Sequence, residues 1–237
     1  MTPDGSTVDR LAVAGTAAVS DAMDSLGIRC VLSGIVPRVP GARVCGPAFP
    51  VAYRPIALSE PTRADGSGFR GAANYLDDVP AGSVVVVDNA GSTSCTTWGS
   101  LLTLLATKRG VLGTVLHGSA RDIAEIRAKG YPLFSTGLTM VSGKNRVELD
   151  SVGLPIDILG TRVRSGDVVL ADDSGALVVP AAHAAEVAAR AERVVATERG
   201  IAAAVDEGVR LDRARAIHGY ATPWREWDKD SRGADSG

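Results

Sequence analysis

The stretch that decides the fold is SVVVVDNAGSTSCTTWGSLLTLLATKRGVLGTVLHGSARDIAEIRAKG, residues 83–130. It begins with four consecutive valines, residues 84–87, which end at Asp88. Four β-branched residues in a row are typical of a strand buried on both faces, as a parallel strand between layers of helices is. A helix-like segment that ends at Lys108 leads to a second apolar run, residues 114–116. The order strand, loop, helix, strand, turn, helix predicts an α/β fold.

Trp98-Gly99-Ser100-Leu101-Leu102 marks the start of the first helix of this unit. In α/β folds, ligands bind where strands end and helices begin. Gly99 would let a ligand approach the backbone, and the free N–H groups of Ser100, Leu101 and Leu102 could hold a carboxylate or enolate oxygen. The alternative is an ordinary helix start over a core patch of Trp and Leu.

Arg121-Asp122 follows the second apolar run and a glycine turn, and it opens the next helix. A carboxylate there could bind a hard divalent cation, and a guanidinium beside it could bind a substrate carboxylate through two parallel hydrogen bonds. The alternative is helix capping, because Ser119-x-x-Asp122 and Asp122-x-x-Glu125 both have capping-box spacing.

His117 lies at the end of the second run, four residues before Arg121. A histidine there could act as a general base near neutral pH, or it could be hydrogen-bonded within the structure. Asp88 ends the valine strand beside this loop and could be a turn former or a ligand. His183 and His218 have no partner in the sequence and are predicted to lie on the surface.

Bulk composition excludes several classes of function. The formal net charge of −2 gives no electrostatic attraction to nucleic acid or an anionic membrane. No apolar run reaches the roughly 18 residues of a transmembrane span, and no signal peptide is evident. Motifs for nucleotide binding, serine hydrolysis and zinc peptidases are absent. Three widely spaced cysteines are typical of reduced thiols in a cytoplasmic protein.

The remaining chain predicts one domain, residues 1–218, followed by a charged tail, residues 219–237. The tail could be loose, or an arm that lies on a neighbouring subunit through Trp224 and Trp227. The glycine-rich segment 59–71 is predicted to be an exposed loop. Apolar spacing predicts helices at residues 16–26 and 181–206. Strands are expected at residues 42–45, 48–53, 131–135, 146–152, 161–163, 168–171 and 176–179.

The order and spacing of these residues resemble the RraA-like family, which contains class II 4-hydroxy-4-methyl-2-oxoglutarate/4-carboxy-4-hydroxy-2-oxoadipate aldolases and the regulator of ribonuclease E activity A. The resemblance spans about residues 15–195. It rests on the helix at Thr16, Gly46-Pro47-Ala48, the valine strand with Asp88, Trp98-Gly99-x-Leu101-Leu102, Arg109-Gly110, Gly118-x-x-Arg121-Asp122 and Gly166-Asp167 through Pro180.

The resemblance implies an αββα sandwich that forms a trimer or a dimer of trimers with sites between subunits. It implies Mg²⁺ or Mn²⁺ held by Asp122, largely through waters, and pyruvate held by Arg121 and the N–H groups of residues 99–102. The implied chemistry is retro-aldol cleavage of a small 2-oxo acid, with oxaloacetate decarboxylation as a side activity.

Ser100 departs from the pattern of the family. The aldolase motif is an acid, twenty residues, then Arg-Asp, and Ser100 occupies the acid's place. Serine is a poor base at neutral pH. Either His117 or a carboxylate from another subunit replaces the base, or the aldolase activity is altered or lost. The sequence therefore leaves three hypotheses: a metal-dependent lyase, a non-catalytic regulator that binds a ribonuclease or another partner, and an enzyme with changed chemistry.

Overall fold

The computed structural model describes residues 3–56 and 74–224. The predicted loop at residues 59–71, the side chain of Trp227 and most of the predicted tail lie outside the described residues.

The described residues form five α-helices and eleven strands. The α-helices are α1 (Gly5–Ser25), α2 (Ser100–Lys108), α3 (Ile123–Ala128), α4 (Ala184–Asp206) and α5 (Leu211–Ile217). The first six strands are β1 (Val36–Pro37), β2 (Val44–Pro55), β3 (Val84–Asp88), β4 (Thr96–Trp98), β5 (Gly113–Ala120) and β6 (Leu133–Leu138). The others are β7 (Val147–Val152), β8 (Ile156–Ile158), β9 (Thr161–Val163), β10 (Val168–Asp172) and β11 (Gly175–Val179). Short 3₁₀ helices span Asn74–Asp78 and Ala181–His183.

One mixed sheet of nine strands organises the fold, in the order β1-β6-β5-β3-β2-β10-β11, with β4 on β5 and β7 on β2. The predicted parallel pair is confirmed: β3 runs parallel to β5, from Val84 opposite Gly113 to Asp88 opposite His117. The two strands expected at residues 42–45 and 48–53 are a single strand, β2. Its first part pairs with β10 and its middle pairs with β3, so it belongs to both halves of the sheet.

Three apolar clusters separate four layers. The first packs α2, α3 and the 3₁₀ helix Asn74–Asp78 against β3, β5 and β6. The second fills the space between that half of the sheet and β10 and β11. The third packs β10 and β11 against α1 and α4. The sequence of layers is helix, sheet, sheet, helix, which confirms the αββα sandwich.

The valine run explains why β3 lies at the centre. Val85 and Val87 contribute to the cluster under α2 and α3, whereas Val84 and Val86 contribute to the cluster between the sheet halves. All four are 0% exposed. Because successive side chains of a strand point to opposite faces, an unbroken apolar run is what a strand between two cores requires.

Helix α1 begins earlier than the predicted residue 16, and it kinks at Gly15, whose φ of 80° and ψ of 167° are not helical. Asp4 caps its start by accepting a hydrogen bond from the Thr7 N–H. After the kink, the Asp172 carboxylate accepts hydrogen bonds from the N–H and the hydroxyl of Thr16. Asp172 therefore caps the second part of α1 and ties it to the end of β10.

The chain after α5 returns to the domain. Trp224 packs against the cluster between α1, α4 and the sheet. No helix among the described residues is long and apolar enough to cross a membrane.

Replacing Asp172 with Ala should destabilise the fold by about 1 kcal/mol at neutral pH, because a helix cap is lost. Burial alone would raise the pKa of Asp172, but hydrogen bonds from Ser174 and Thr16 outweigh it and lower the pKa below the usual 3.8. Because the pKa of Asp172 is lower in the folded state than in the unfolded state, its carboxylate stabilises the fold at pH values above the unfolded-state pKa. This stabilisation is lost as the pH falls through the folded-state pKa.

Denaturant unfolding of wild type and Asp172→Ala at pH 7 and at pH 3 checks this. The two curves should differ at pH 7 and approach each other at pH 3. Asp173→Ala, one residue along and exposed, is the matched control and should cost less. An undiminished difference at pH 3 would contradict the assignment.

Candidate active site

A cavity of about 240 Å³ opens where β4 and β5 end and α2 and α3 begin. It is lined by Tyr53, Thr96, Thr97, Trp98, Gly99, Ser100, Leu101, Leu102, Arg121, Asp122, Ser142, Gly143, Lys144 and Val147. The structure therefore brings together Arg121, Asp122 and the start of α2, all of which the sequence analysis singled out.

Asp122 occupies an unusual backbone conformation. It follows β5 directly and has φ 58° and ψ 37°, in the left-handed region that side-chain-bearing residues rarely adopt. Such conformations persist where the surrounding structure holds them, and they cluster at functional sites. This turn directs the chain from β5 into α3 and leaves the Asp122 side chain beside the start of α2.

Asp122 binds the first residue of α2. Its Oδ2 accepts hydrogen bonds from the Ser100 N–H at 3.0 Å and from the Ser100 hydroxyl at 3.1 Å. The Arg121 Nε lies 3.6 Å from the same oxygen. These contacts all use Oδ2, so Oδ1 faces no described protein donor and stays available to a ligand.

The capping-box alternative for Asp122 is wrong. Its side chain makes no capping hydrogen bond to α3, although the spacing to Glu125 would permit one. The left-handed turn carries the carboxylate away from α3 and onto α2, where it satisfies one of the N–H groups that a helix start leaves without a partner.

Gly99 is required by the close approach of the Arg121-Asp122 pair. A Cβ at this position would lie 2.8 Å from Asp122 Oδ2 and 3.3 Å from Arg121 Cγ. The backbone of Gly99 is extended, so the need for glycine comes from space and not from φ.

The first turn of α2 offers a place for an anion. Ser100 gives its N–H to Asp122, whereas the N–H groups of Leu101 and Leu102 have no acceptor within the helix. The side chain of Leu101 is 78% exposed and that of Leu102 is half-buried. A carboxylate beside these two N–H groups would also gain from the positive end of the helix dipole.

Charge at the cavity favours a negatively charged ligand. Of the described residues that line it, Arg121 and Lys144 are positive and Asp122 is the single carboxylate. Among the described residues, Asp122 contacts the Arg121 guanidinium, at a distance of 3.6 Å between Oδ2 and Nε. The five N–H donors of a guanidinium suit a carboxylate ligand. The side chain of Arg121 is 35% exposed and can reach a ligand in the cavity.

The residues present fit a divalent cation that keeps most of its waters. Within residues 3–56 and 74–224, no group of three or more His, Cys, Asp and Glu side chains is placed to hold a metal. Mg²⁺ often binds through one or two carboxylates and keeps several waters. Asp122, with Oδ1 free of protein donors, is the residue that would hold such an ion.

The structure does not bring His117 to this cavity. His117 lies within β5 and not after it, and its Nδ1 makes a 2.8 Å hydrogen bond with Asp88 Oδ1 on the adjacent strand. The ring packs against Gly91, where a Cβ would lie 2.7 Å from Nε2. Neither His117 nor Asp88 lines the cavity. The geometry therefore favours the structural interpretation of this histidine.

Sequence reasoning missed the cavity residues that come from other parts of the chain. Tyr53 lies on β2, and Ser142, Gly143 and Lys144 precede β7. These segments carry no motif. Pairing of β2 with β3 and β7 places Tyr53, and a bridge between Thr96 and Ser142 joins the segment before β7 to β4. The one signal was the alternation at residues 146–152, which predicted a strand but not its neighbours.

A model of the RraA-like family, described as Aldolase/RraA, matches residues 16–178, more than half of the chain. The chain belongs to the RraA-like family. The resemblance read from the Arg121-Asp122 motif and its neighbours is thus confirmed, and the family match includes the cavity-forming segments between β2 and β7.

Two relatives show the range of proteins in which this domain occurs. Protein DlpA of Legionella pneumophila is 41% identical over 209 residues, which is 88% of this chain but 33% of that protein. A Thermus thermophilus protein named 4-hydroxy-4-methyl-2-oxoglutarate aldolase is 35% identical over 106 residues, 44% of this chain and 63% of that one. This chain therefore matches about a third of the length of DlpA.

Two solved structures share the fold of this chain. An uncharacterized protein from Pseudomonas syringae superposes with a TM-score of 0.82 at 42% identity, over 91% of this chain and 99% of that one. RraAS2 of Streptomyces coelicolor, described as an unusual member of the RNase ES inhibitor RraA protein family, superposes with a TM-score of 0.69 at 31% identity, over 81% and 93%.

Replacing Gly99 with Ala should push the Asp122 carboxylate off Ser100 and lower the stability by about 1 kcal/mol, because the hydrogen bonds from Ser100 to Oδ2 are lost. Gly5→Ala is the matched control, because a Cβ there meets nothing within 4 Å. Thermal unfolding of both variants measures the difference. A Gly99→Ala protein as stable as the Gly5→Ala protein would show that the contact between Asp122 and α2 is not needed.

Proposed function

We propose that this RraA-like protein is a divalent-metal-dependent lyase that cleaves a small 2-oxo acid by retro-aldol chemistry and releases pyruvate. The observation that carries the proposal is the arrangement of Arg121 and Asp122 beside the free N–H groups of α2 in one cavity. The name of the Thermus thermophilus relative supports the reaction class. The proposal includes oxaloacetate decarboxylation as a side activity of the same site, because that reaction also yields pyruvate.

Each residue of the site has a role in the proposal. Arg121 binds the carboxylate of the 2-oxo acid, and the N–H groups of Leu101 and Leu102 hold an oxygen that becomes negative as the carbon–carbon bond breaks. Asp122 would hold Mg²⁺ or Mn²⁺. Such an ion, when bound, would polarise the 2-oxo group and favour the enolate. Ser100 keeps the Asp122 side chain in place.

Retro-aldol cleavage needs an acceptor for the proton of the substrate hydroxyl. Asp122 is the single carboxylate among the described residues of the cavity, and its Oδ2 is occupied. We propose that a carboxylate from a second copy of the chain completes the site, in a trimer or a dimer of trimers. Exposed apolar side chains near the cavity support an interface: Leu101 is 78% exposed and Met140, two residues before Ser142, is 88% exposed.

A second candidate is a regulator that binds another protein and has no catalytic role. Ser100 in place of the acid favours it, and so does the name of the Streptomyces coelicolor neighbour. A third candidate is a lyase with changed chemistry, which Ser100 also favours. Pyruvate release separates the regulator from the two lyases, since the regulator would form none.

Asp122→Asn and Arg121→Ala should each lower the rate of pyruvate release by about a hundredfold or more, because Arg121 supplies positive charge to the transition state and Asp122 would hold the cation that does the same. Pyruvate is measured by coupling to lactate dehydrogenase, with Mg²⁺, with Mn²⁺ and with a chelator. Glu125→Gln, on the exposed side of α3, is the control and should keep the wild-type rate. The proposal is wrong if several 2-oxo acids give no metal-dependent pyruvate.

Replacing Ser100 with Asp distinguishes an aldolase from a lyase with changed chemistry. If the chain lacks only the acid of the aldolase pattern, Ser100→Asp should raise aldol cleavage relative to oxaloacetate decarboxylation. The ratio of the two rates is the measurement, and Ser100→Asn is the uncharged control. An unchanged ratio would mean that the residue at position 100 does not determine which of the two reactions the site favours.

A further inference from the structure

Asp88 and His117 form a polar pair at two neighbouring strands, outside the cavity. Asp88 is the last residue of β3 and lies opposite His117 on β5. Their side chains are 20% and 16% exposed, and Asp88 Oδ1 lies 2.8 Å from His117 Nδ1. An ionised carboxylate only accepts hydrogen bonds, so Nδ1 is the donor. Neither residue has a role in the proposed function.

The pair holds the turn that follows β3. Asp88 Oδ1 also accepts a hydrogen bond from the Ala90 N–H at 2.9 Å. The His117 carbonyl oxygen accepts hydrogen bonds from the N–H groups of Asn89 at 2.9 Å and Gly91 at 3.2 Å. Ala90 and Gly91 both have a left-handed backbone, with φ of 50° and 67°. Alanine rarely adopts this conformation, which persists where the surrounding structure holds it.

The imidazole ring also packs against the turn. A Cβ at Gly91 would lie 2.7 Å from His117 Nε2 and 3.3 Å from Cε1. The edge of the ring therefore contacts the backbone of Gly91. Packing and hydrogen bonding together leave the turn one path away from β3.

This path leads into the candidate active site. Residues 92–95 connect the turn to β4, and Trp98 ends β4 just before α2 begins. β5 holds this end of the loop too. The Thr96 hydroxyl donates to the Ser119 carbonyl oxygen at 2.9 Å. The Arg121 N–H donates to the Trp98 carbonyl oxygen at 3.0 Å. The loop that enters the site is thus fixed at both ends by one strand and the residue that follows it.

We propose that Asp88 and His117 are positioning residues for the reaction. They fix the path by which the loop enters α2, and they thereby place the N–H groups of Leu101 and Leu102 for the ligand. The inference rests on the proposed function. Neither member of the pair lines the cavity, so its effect on the ligand passes through the loop. In a site that works by orientation, a displacement of about 1 Å can lower the rate about a hundredfold.

Positioning and proton transfer make different demands on His117. A general base needs a nitrogen that changes its protonation state, whereas a positioning residue needs the donor that meets Asp88. Asparagine offers an N–H donor in place of Nδ1 and does not titrate. His117→Asn therefore tells the two roles apart. Asp88→Asn likewise keeps an acceptor oxygen, which Asp88→Ala removes.

The first test measures pyruvate release from oxaloacetate and from 4-hydroxy-2-oxoglutarate by the full chain with Mg²⁺. His117→Leu and Asp88→Ala should each lower kcat by roughly tenfold to a hundredfold. KM should stay within about threefold, because Arg121 still binds the substrate carboxylate. His117→Asn and Asp88→Asn should restore kcat to within about threefold of wild type, because the hydrogen bond of the pair is kept. Equal losses of kcat in His117→Leu and His117→Asn overturn the inference.

Asp172→Ala is the matched control. The Asp172 carboxylate also lies at the end of a strand and binds a backbone N–H, that of Thr16, but it lies outside the cavity. Asp172→Ala should lower the melting temperature and leave kcat within about twofold. A kcat that falls as far in Asp172→Ala as in His117→Leu would show an effect of stability alone and overturn the inference.

A spectroscopic test does not depend on turnover. The Trp98 indole N–H donates to the Thr103 hydroxyl on α2 at 2.9 Å, so its NMR signal reports on the connection between β4 and α2. The chain has three tryptophans, and Trp224→Phe and Trp227→Phe identify the other two signals. His117→Leu should shift the Trp98 signal, and His117→Asn should leave it near its wild-type position.

The two tests separate the inference from the proposed function. If wild type gives pyruvate and His117→Leu keeps its kcat, the lyase stands and the inference is overturned. If wild type gives no pyruvate from either acid, the lyase fails and the Trp98 signal decides the inference. An unmoved signal in His117→Leu then overturns it, and a shift that His117→Asn reverses supports it.

Discussion

The contact between the Asp122 carboxylate and the first residue of α2 holds the candidate site together. It joins the end of β5 to the start of a helix that is twenty-two residues away in the chain. A helix start buried against a strand end needs an acceptor for its N–H groups, and a carboxylate also interacts favourably with the helix dipole. The left-handed backbone of Asp122 is the local cost of placing the acceptor there. Gly99 leaves the space that the contact requires.

The same contact limits the chemistry that the site can perform. Both hydrogen bonds from Ser100 go to Oδ2 of Asp122, so Oδ1 is left to bind a cation. An acid at position 100 would bring a second negative charge next to Asp122. Serine instead donates its hydroxyl to Oδ2 and fixes the orientation of the carboxylate. Arg121 and Lys144 place positive charge at the cavity, which suits the binding of an organic anion.

The sequence predicted the features that depend on neighbouring residues along the chain. Four valines specify a strand between two cores wherever they occur, and the starts of α2 and α4 follow from local composition. Capping-box spacing, in contrast, gave a wrong prediction for Asp122. Such spacing identifies only partners within the same helix, whereas Asp122 binds the start of a different helix, α2. Tyr53, Thr97 and Lys144 became visible as one lining only when the sheet was known. Pairing of β2 with β3 and β7, together with the bridge between Thr96 and Ser142, brings these residues together, and no single-sequence pattern encodes that pairing.

The four-layer fold explains why the buried part of the cavity differs from its exposed part. We call the buried residues Tyr53, Thr96, Thr97, Trp98 and Val147 the floor, and the exposed or half-buried residues Ser100, Arg121, Asp122 and Lys144 the mouth. The floor belongs to the apolar cluster between the helices and the sheet, so its side chains are Trp98, Val147 and others selected for packing. In such a layer a charge would be costly, and the hydroxyls of Thr97 and Tyr53 are the polar groups that it tolerates. The mouth lies where strands give way to helices, and solvent makes charge inexpensive there.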